Sequence, residues 1–215
     1  MRLGFVLSSI VYDNAVKKDD LRILEWLKRC NCPWDEDTFA AAAEHSRLEI
    51  LKWLKENGCP WSGRTFSRAV ITGSLEKIIW LTENHCPWNK QTFANAASRG
   101  NLEIMKVLKE NGCPWDKYIF RCSINFGDLR ILRWLKRNSC PWDSSIFSAA
   151  AFLGNLYILI WLKENKCPLN HYTLIEAAWN GNIENMQWLR DNGCPWSEDT
   201  FSHAAWTENL LWNGY

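Results

Sequence analysis

Apolar residues return along this chain with a helical beat that restarts twice in every 27 residues. In the stretch 32–58, Phe39, Ala42 and Ala43 hold the i, i+3, i+4 spacing of one helix face. A second apolar set follows, Leu48, Ile50, Leu51, Trp53 and Leu54, with Glu49, Lys52, Lys55 and Glu56 on the polar side. The pattern predicts two helices per unit: a first, helix A, of about nine to eleven residues, and a second, helix B. Helix A is announced by Asp35, Ser62, Asn89, Asp116, Asp143, Asn170 and Ser197, side chains whose oxygen can accept from the free amides of a first turn. Gly73, Gly100, Gly127, Gly154 and Gly181 mark the turn between the helices, and Ser46 and Glu208 are the departures. Asn101, Asp128, Asn155 and Asn182 then cap helix B, which ends at Asn57, Asn84, Asn111, Asn138, Asn165 and Asn192.

The break between units is the tripeptide Cys-Pro-Trp. It begins at Cys32, Cys59, Cys86, Cys113, Cys140, Cys167 and Cys194, always 27 residues apart, with Leu169 once replacing the Trp. A fixed period of this length is the signature of a repeat array. Only four residues separate the end of helix B from the next cap, too few for a β-hairpin, so no sheet is expected. The Trp before each cap and the Phe five residues later, as in Trp34 and Phe39, stand at the two ends of a hydrophobic staple, and contact within one unit is expected. The helix B tryptophans, Trp26, Trp53, Trp80, Trp134, Trp161 and Trp188, fall at core spacing; Val107 is the exception.

These observations predict an all-α solenoid of helix-turn-helix repeats in a single repeat domain, 1–215. Its units are 5–31 (degenerate), 32–58, 59–85, 86–112, 113–139, 140–166, 167–193 and 194–215 (incomplete). Tyr12, Ala15, Val16, Leu21 and Trp26 keep the register of the first unit although Phe5-Val6-Leu7 replaces the tripeptide, which argues against a leader peptide there. A monomer is expected, with self-association at the poorly capped C-terminal end around Leu210, Leu211 and Trp212.

The unit resembles an ankyrin repeat. Thr38-Phe39 through Ala42-Ala43, the turn position Ser46, Leu48-Glu49-Ile50-Leu51-Lys52-Trp53-Leu54 and the closing Gly58-Cys59 follow the ankyrin order. There a Pro-Leu-His-x-Ala-Ala helix leads through a Gly turn to a Val/Leu-rich helix ending on Gly-Ala. Among ankyrin-type proteins it is similar to the short Cys-Pro-Trp type expanded in giant DNA viruses and some protists. Ankyrin units run about 33 residues, and the shortfall here lies where the hairpin fingers would be, so finger-tip contacts are not carried over. The resemblance implies target recruitment, sometimes for ubiquitin ligases, and for a viral chain a place inside the host cell.

Charge and cysteine usage narrow the function. Lys plus Arg number 25 and Asp plus Glu 24, a balance that argues against nucleic acid and anionic membrane as partners. No apolar run reaches the length of a spanning helix. Seven of nine cysteines belong to the repeat, one per unit, and neighbouring units stand too far apart for disulfides, which favours a reducing, cytoplasmic setting. His45, His85, His171 and His203 occupy different repeat positions, and no nucleophile, metal-ligand or phosphate-loop motif accompanies them. No catalytic, cofactor or metal site is expected, and the chain is read as a non-enzyme.

The outward positions of helix A vary between units. At the Glu44 position the series runs Glu44, Ile71, Ser98, Asn125, Phe152, Trp179, Trp206, and Tyr118 and Tyr172 share the Asp37 position. Together with Arg121, Phe126 and His203 these make a candidate surface for a protein or peptide partner. The alternatives are a nucleic-acid-binding helical repeat, or a fragment of a longer ankyrin array acting as a recruiting adaptor. The basic side chains of helix B, Arg130, Arg133, Lys136 and Arg137, read as a solvated face.

Overall fold

The computed structural model describes residues 9–195, and among the described residues there are fourteen α-helices and no strand. The expected all-α helical-repeat solenoid is the fold observed. The chain divides into two compact units, with the boundary between Pro114 and Trp115. The first holds the A helices α1 (Ser9–Val16), α3 (Glu36–His45), α5 (Gly63–Thr72) and α7 (Lys90–Ser98). Its B helices are α2 (Leu21–Arg29), α4 (Leu48–Glu56), α6 (Leu75–Glu83) and α8 (Leu102–Glu110). The second holds A helices α9 (Lys117–Phe126), α11 (Ser144–Leu153) and α13 (Tyr172–Asn180), with B helices α10 (Leu129–Arg137), α12 (Leu156–Glu164) and α14 (Ile183–Asp191). In each unit, A helices pack on neighbouring A helices, and each also packs on its own B helix.

Local chemistry starts and stops these helices where the sequence says. The side chains of Asp35, Ser62, Asn89, Asp116 and Asp143 accept from amides in the first turn of helix A. Thr38, Thr65 and Thr92 close capping boxes by accepting from the cap residue's own amide. In α13 the helix begins one residue later, after His171, yet the Asn170 side chain still accepts from the Thr173 amide at 3.1 Å. Gly73, Gly127, Gly154 and Gly181 end their A helices in the left-handed region. Ser46 manages without it, its backbone extended and its hydroxyl donating to the Val16 carbonyl at 2.6 Å.

The tripeptide corner is where one repeat grips the one before. Helix B ends with the Asn side chain donating back to the carbonyl four residues earlier, as Asn57 does to Trp53 at 2.7 Å. The next residue takes a positive φ, between 52° and 79°, at Asn31, Gly58, His85, Gly112, Ser139, Lys166 and Gly193 alike. The cysteine amide then donates to the helix, as Cys59 does to Leu54 at 3.0 Å. Its thiol donates to the cap residue of the preceding repeat: Cys59 to the Asp35 carbonyl at 3.6 Å, Cys140 to Asp116 at 3.6 Å, Cys167 to Asp143 at 3.7 Å. Burial pushes the Cys59, Cys86, Cys113 and Cys167 thiols up to about 12, so they remain protonated donors.

The staple is a correction. Four tryptophans of the tripeptide put their rings against an aromatic of the preceding repeat: Trp34 on Tyr12 at 5.2 Å, Trp61 on Phe39 at 5.3 Å, Trp88 on Phe66 at 5.8 Å and Trp142 on Phe120 at 5.1 Å. Trp34, Trp61, Trp115 and Trp142 also meet the helix B tryptophan of their own repeat, as Trp61 meets Trp80 at 5.9 Å, whereas the repeat of Trp88 has Val107 there. At Trp61 and Trp142 a lysine from the previous helix B covers the ring, Lys55 over Trp61 at 3.5 Å and Lys136 over Trp142 at 3.7 Å. Core placement of the helix B tryptophans is only partial: Trp161 is buried, Trp53, Trp80, Trp134 and Trp188 half-buried, and Trp26 exposed. Trp26 and Trp188 belong to the units with a leucine, Leu7 or Leu169, in place of the tripeptide tryptophan, and of the two only Trp26 is exposed.

Candidate partner-binding groove

Within residues 115–195 the outer faces of α9, α11 and α13 form a groove of about 470 Å³. Arg121 and Asn125, one helical turn apart, supply the α9 wall; Ser145, Ala149 and Phe152 come from α11; Tyr172 and Glu176, again one turn apart, come from α13. Phe152 is 51% exposed and Tyr172 57%, although both belong to helices whose inner faces are sealed by Phe147 and Leu174. The floor is fixed by hydrogen bonds between repeats. Ser148 donates to Asn170 at 3.1 Å, and the Asn170 amide donates to Ser144 at 2.9 Å. At the helix starts, Lys117 reaches Asp143 at 2.6 Å and holds its carboxyl down at about 2, with help from Ser145.

Of the residues singled out in the sequence, Arg121, Phe152 and Tyr172 are brought together here. Tyr118 and Trp179 are exposed on α9 and α13 but do not line the groove. Phe126 sits at the end of α9 in a separate concavity of about 440 Å³, with Arg130, Asn155 and Tyr157. His203 and Trp206 lie outside the described residues. Phe152 and Trp179 are each about half exposed and are not part of the buried core. Glu176, Ser145 and Asn170 were missed, although Glu176 stands at the Ala41 position, one of the outward places on helix A.

The basic side chains of α10 are exposed, and two are engaged locally, Arg130 with Asp128 at 2.7 Å and Lys136 over Trp142. Among the described residues no group of three or more His, Cys, Asp or Glu could hold a metal ion, and no helix is long and apolar enough to cross a membrane.

No family model matches the sequence, and no curated protein matches it. Solved structures do. The pentatricopeptide repeat protein PPR10 in complex with an 18-nucleotide psaJ RNA element is similar at 13% identity and a TM-score of 0.59, over 94% of this chain and 36% of that one. A triple Cys-to-Ser form of that complex gives the same values. PPR10 from maize is similar at 12% identity and a TM-score of 0.48, over 91% and 35%. The shared object is a helical-repeat fold. This chain spans about a third of the length of those proteins.

Proposed function

We propose that this chain is a non-enzymatic binding scaffold of short ankyrin-like repeats that holds an extended segment of a protein partner in the α9–α11–α13 groove. The observation that carries the reading is the pair Phe152 and Tyr172. Two large rings are kept half in water on one groove, on helices with ample apolar surface already buried. The side-chain amide of Asn125 beside them, which makes no hydrogen bond among the described residues, suits a peptide backbone.

A second reading is supported by the likeness to an RNA-bound repeat protein. The same groove would then take single-stranded RNA, with bases on the rings of Phe152 and Tyr172 and a phosphate on Arg121. Against it stand the carboxylate of Glu176 in the groove and a net charge of +1.

Capture from a cell extract, with and without ribonuclease, separates the two. The protein reading expects a ribonuclease-resistant protein held by the wild type and lost from a folded Phe152→Ala/Tyr172→Ala variant. A catch that disappears with ribonuclease supports RNA instead, and a catch indifferent to both substitutions removes the groove from either reading.

A further inference from the structure

The groove is electrically two-ended. Glu176 at its α13 end is half-buried and has no hydrogen-bond or ion-pair partner among the described residues, and it shares the lining with Tyr172 and Phe152. Arg121 at the α9 end is exposed and likewise forms no ion pair. In the first unit the place of Glu176 is taken by Arg68, which is neutralised by Glu44 at 2.8 Å. A carboxylate left without a counter-charge beside two aromatic faces is complementary to a cation, through an ion pair and through the ring faces together. A guanidinium fits better than an ammonium, since it matches the carboxylate fork and lies flat on a ring.

Building on the protein-partner reading, we infer that the groove takes an extended peptide that seats an arginine at Glu176 and an acidic side chain at Arg121. The two groups belong to A helices two repeats apart, which at the usual packing distance is about 16–20 Å. An extended or polyproline chain advances about 3.1–3.4 Å per residue. The recognised charges therefore stand about five or six residues apart, with the acidic residue over α9. A nucleic-acid strand on the same path would carry its phosphates past Glu176 and be repelled there.

The test uses fluorescein-labelled peptides of Ala and Pro carrying one Glu and one Arg, with the spacing varied from about three to eight residues around that estimate. An 18-nucleotide oligouridine RNA serves as the second probe. Anisotropy should show tightest binding near the expected spacing. Glu176→Lys should weaken that peptide at least tenfold and restore binding to the peptide whose Arg is replaced by Glu; Glu176→Gln should weaken it less. Wild-type binding to none of the peptides, or affinity unchanged in both Glu176 variants, overturns the inference. If the Glu176 variants are silent while Phe152→Ala/Tyr172→Ala still loses its protein partner, the charge assignment falls and the groove stands. If Glu176→Lys instead tightens the RNA while no peptide binds, the protein-partner reading falls with it.

Discussion

In residues 9–114 charges on the outer faces of α3 and α5 satisfy one another: Arg64 reaches Asp37 at 2.6 Å, and Arg68 reaches Glu44 at 2.8 Å. In residues 115–195 the row of Asp37 and Arg64 holds Tyr118, Ser145 and Tyr172, and the row of Glu44 holds Asn125, Phe152 and Trp179. Beneath these faces the two units are alike, with the same caps, left-handed corners and thiol-to-carbonyl bonds. Packing and capping demand the same chemistry in every repeat, whereas the outer rows answer to nothing inside the molecule. The first unit has used that freedom to pair charges between α3 and α5, and the second to set exposed rings on α9, α11 and α13.

The contrast is sharpest on α11. Phe147 is fully buried and Phe152 is half exposed, five residues further along. Phe147→Ala should destabilise the protein by about 3–5 kcal/mol in denaturant unfolding, and Phe152→Ala by less than about 1 kcal/mol. Comparable losses would mean that the outer ring is structural and would dissolve the contrast.

A second difference lies in the core of helix B. At the position filled by Ile50, Ile104, Ile131 and Ile158, the first unit also has Lys77, whose buried ammonium donates to the Ala43 carbonyl at 3.0 Å. The second unit has Asn185, fully buried with neither atom of its amide hydrogen-bonded. Asn185→Ile should stabilise by about 1–3 kcal/mol, because it relieves an unpaired polar group. Lys77→Ile should gain less, since it gives up a bond. Equal gains in the midpoint of thermal unfolding would show that the two polar groups are equally ill-placed.

The corners offer a control on the shared frame. His85 in one unit and Lys166 in the other adopt positive φ values of 57° and 60° without being glycine. His85→Gly and Lys166→Gly should each stabilise by about 1 kcal/mol, and by the same amount if the frames are equivalent. The smallest effect is expected at the closed surface. Arg64→Ala with Arg68→Ala should lower stability by less than about 1 kcal/mol and leave peptide affinity unchanged. A loss of affinity would place the binding surface in the wrong unit.

Much of this frame was legible in the sequence because it is local. A cap acts within three residues, a left-handed corner within six, and each is written repeatedly. What crosses from one repeat to the next was harder to read. In a strict repeat Trp61 stands at a constant offset from both Phe66 and Phe39, so periodicity does not say which ring it meets. The aromatic half of the groove showed itself through variation against a fixed background, in Phe152 and Tyr172. The polar half did not, because Glu176 on an outer helix face looks like any solvated carboxylate until its neighbours are known.

The corner cysteines carry a consequence for how such a chain can be shortened or extended. The segment that copies runs from one Cys to the residue before the next Cys, but the segment that closes does not share its borders. Helix A of 36–45 is finished by the thiol of Cys59 and the ring of Trp61, both written in the next copy. The copying frame and the folding frame are therefore out of phase by a tripeptide. A cut after Gly58 would leave a complete copy of the repeat without its corner contacts, and a cut after Trp61 would keep those contacts while still baring the side of α3 that packs on α5.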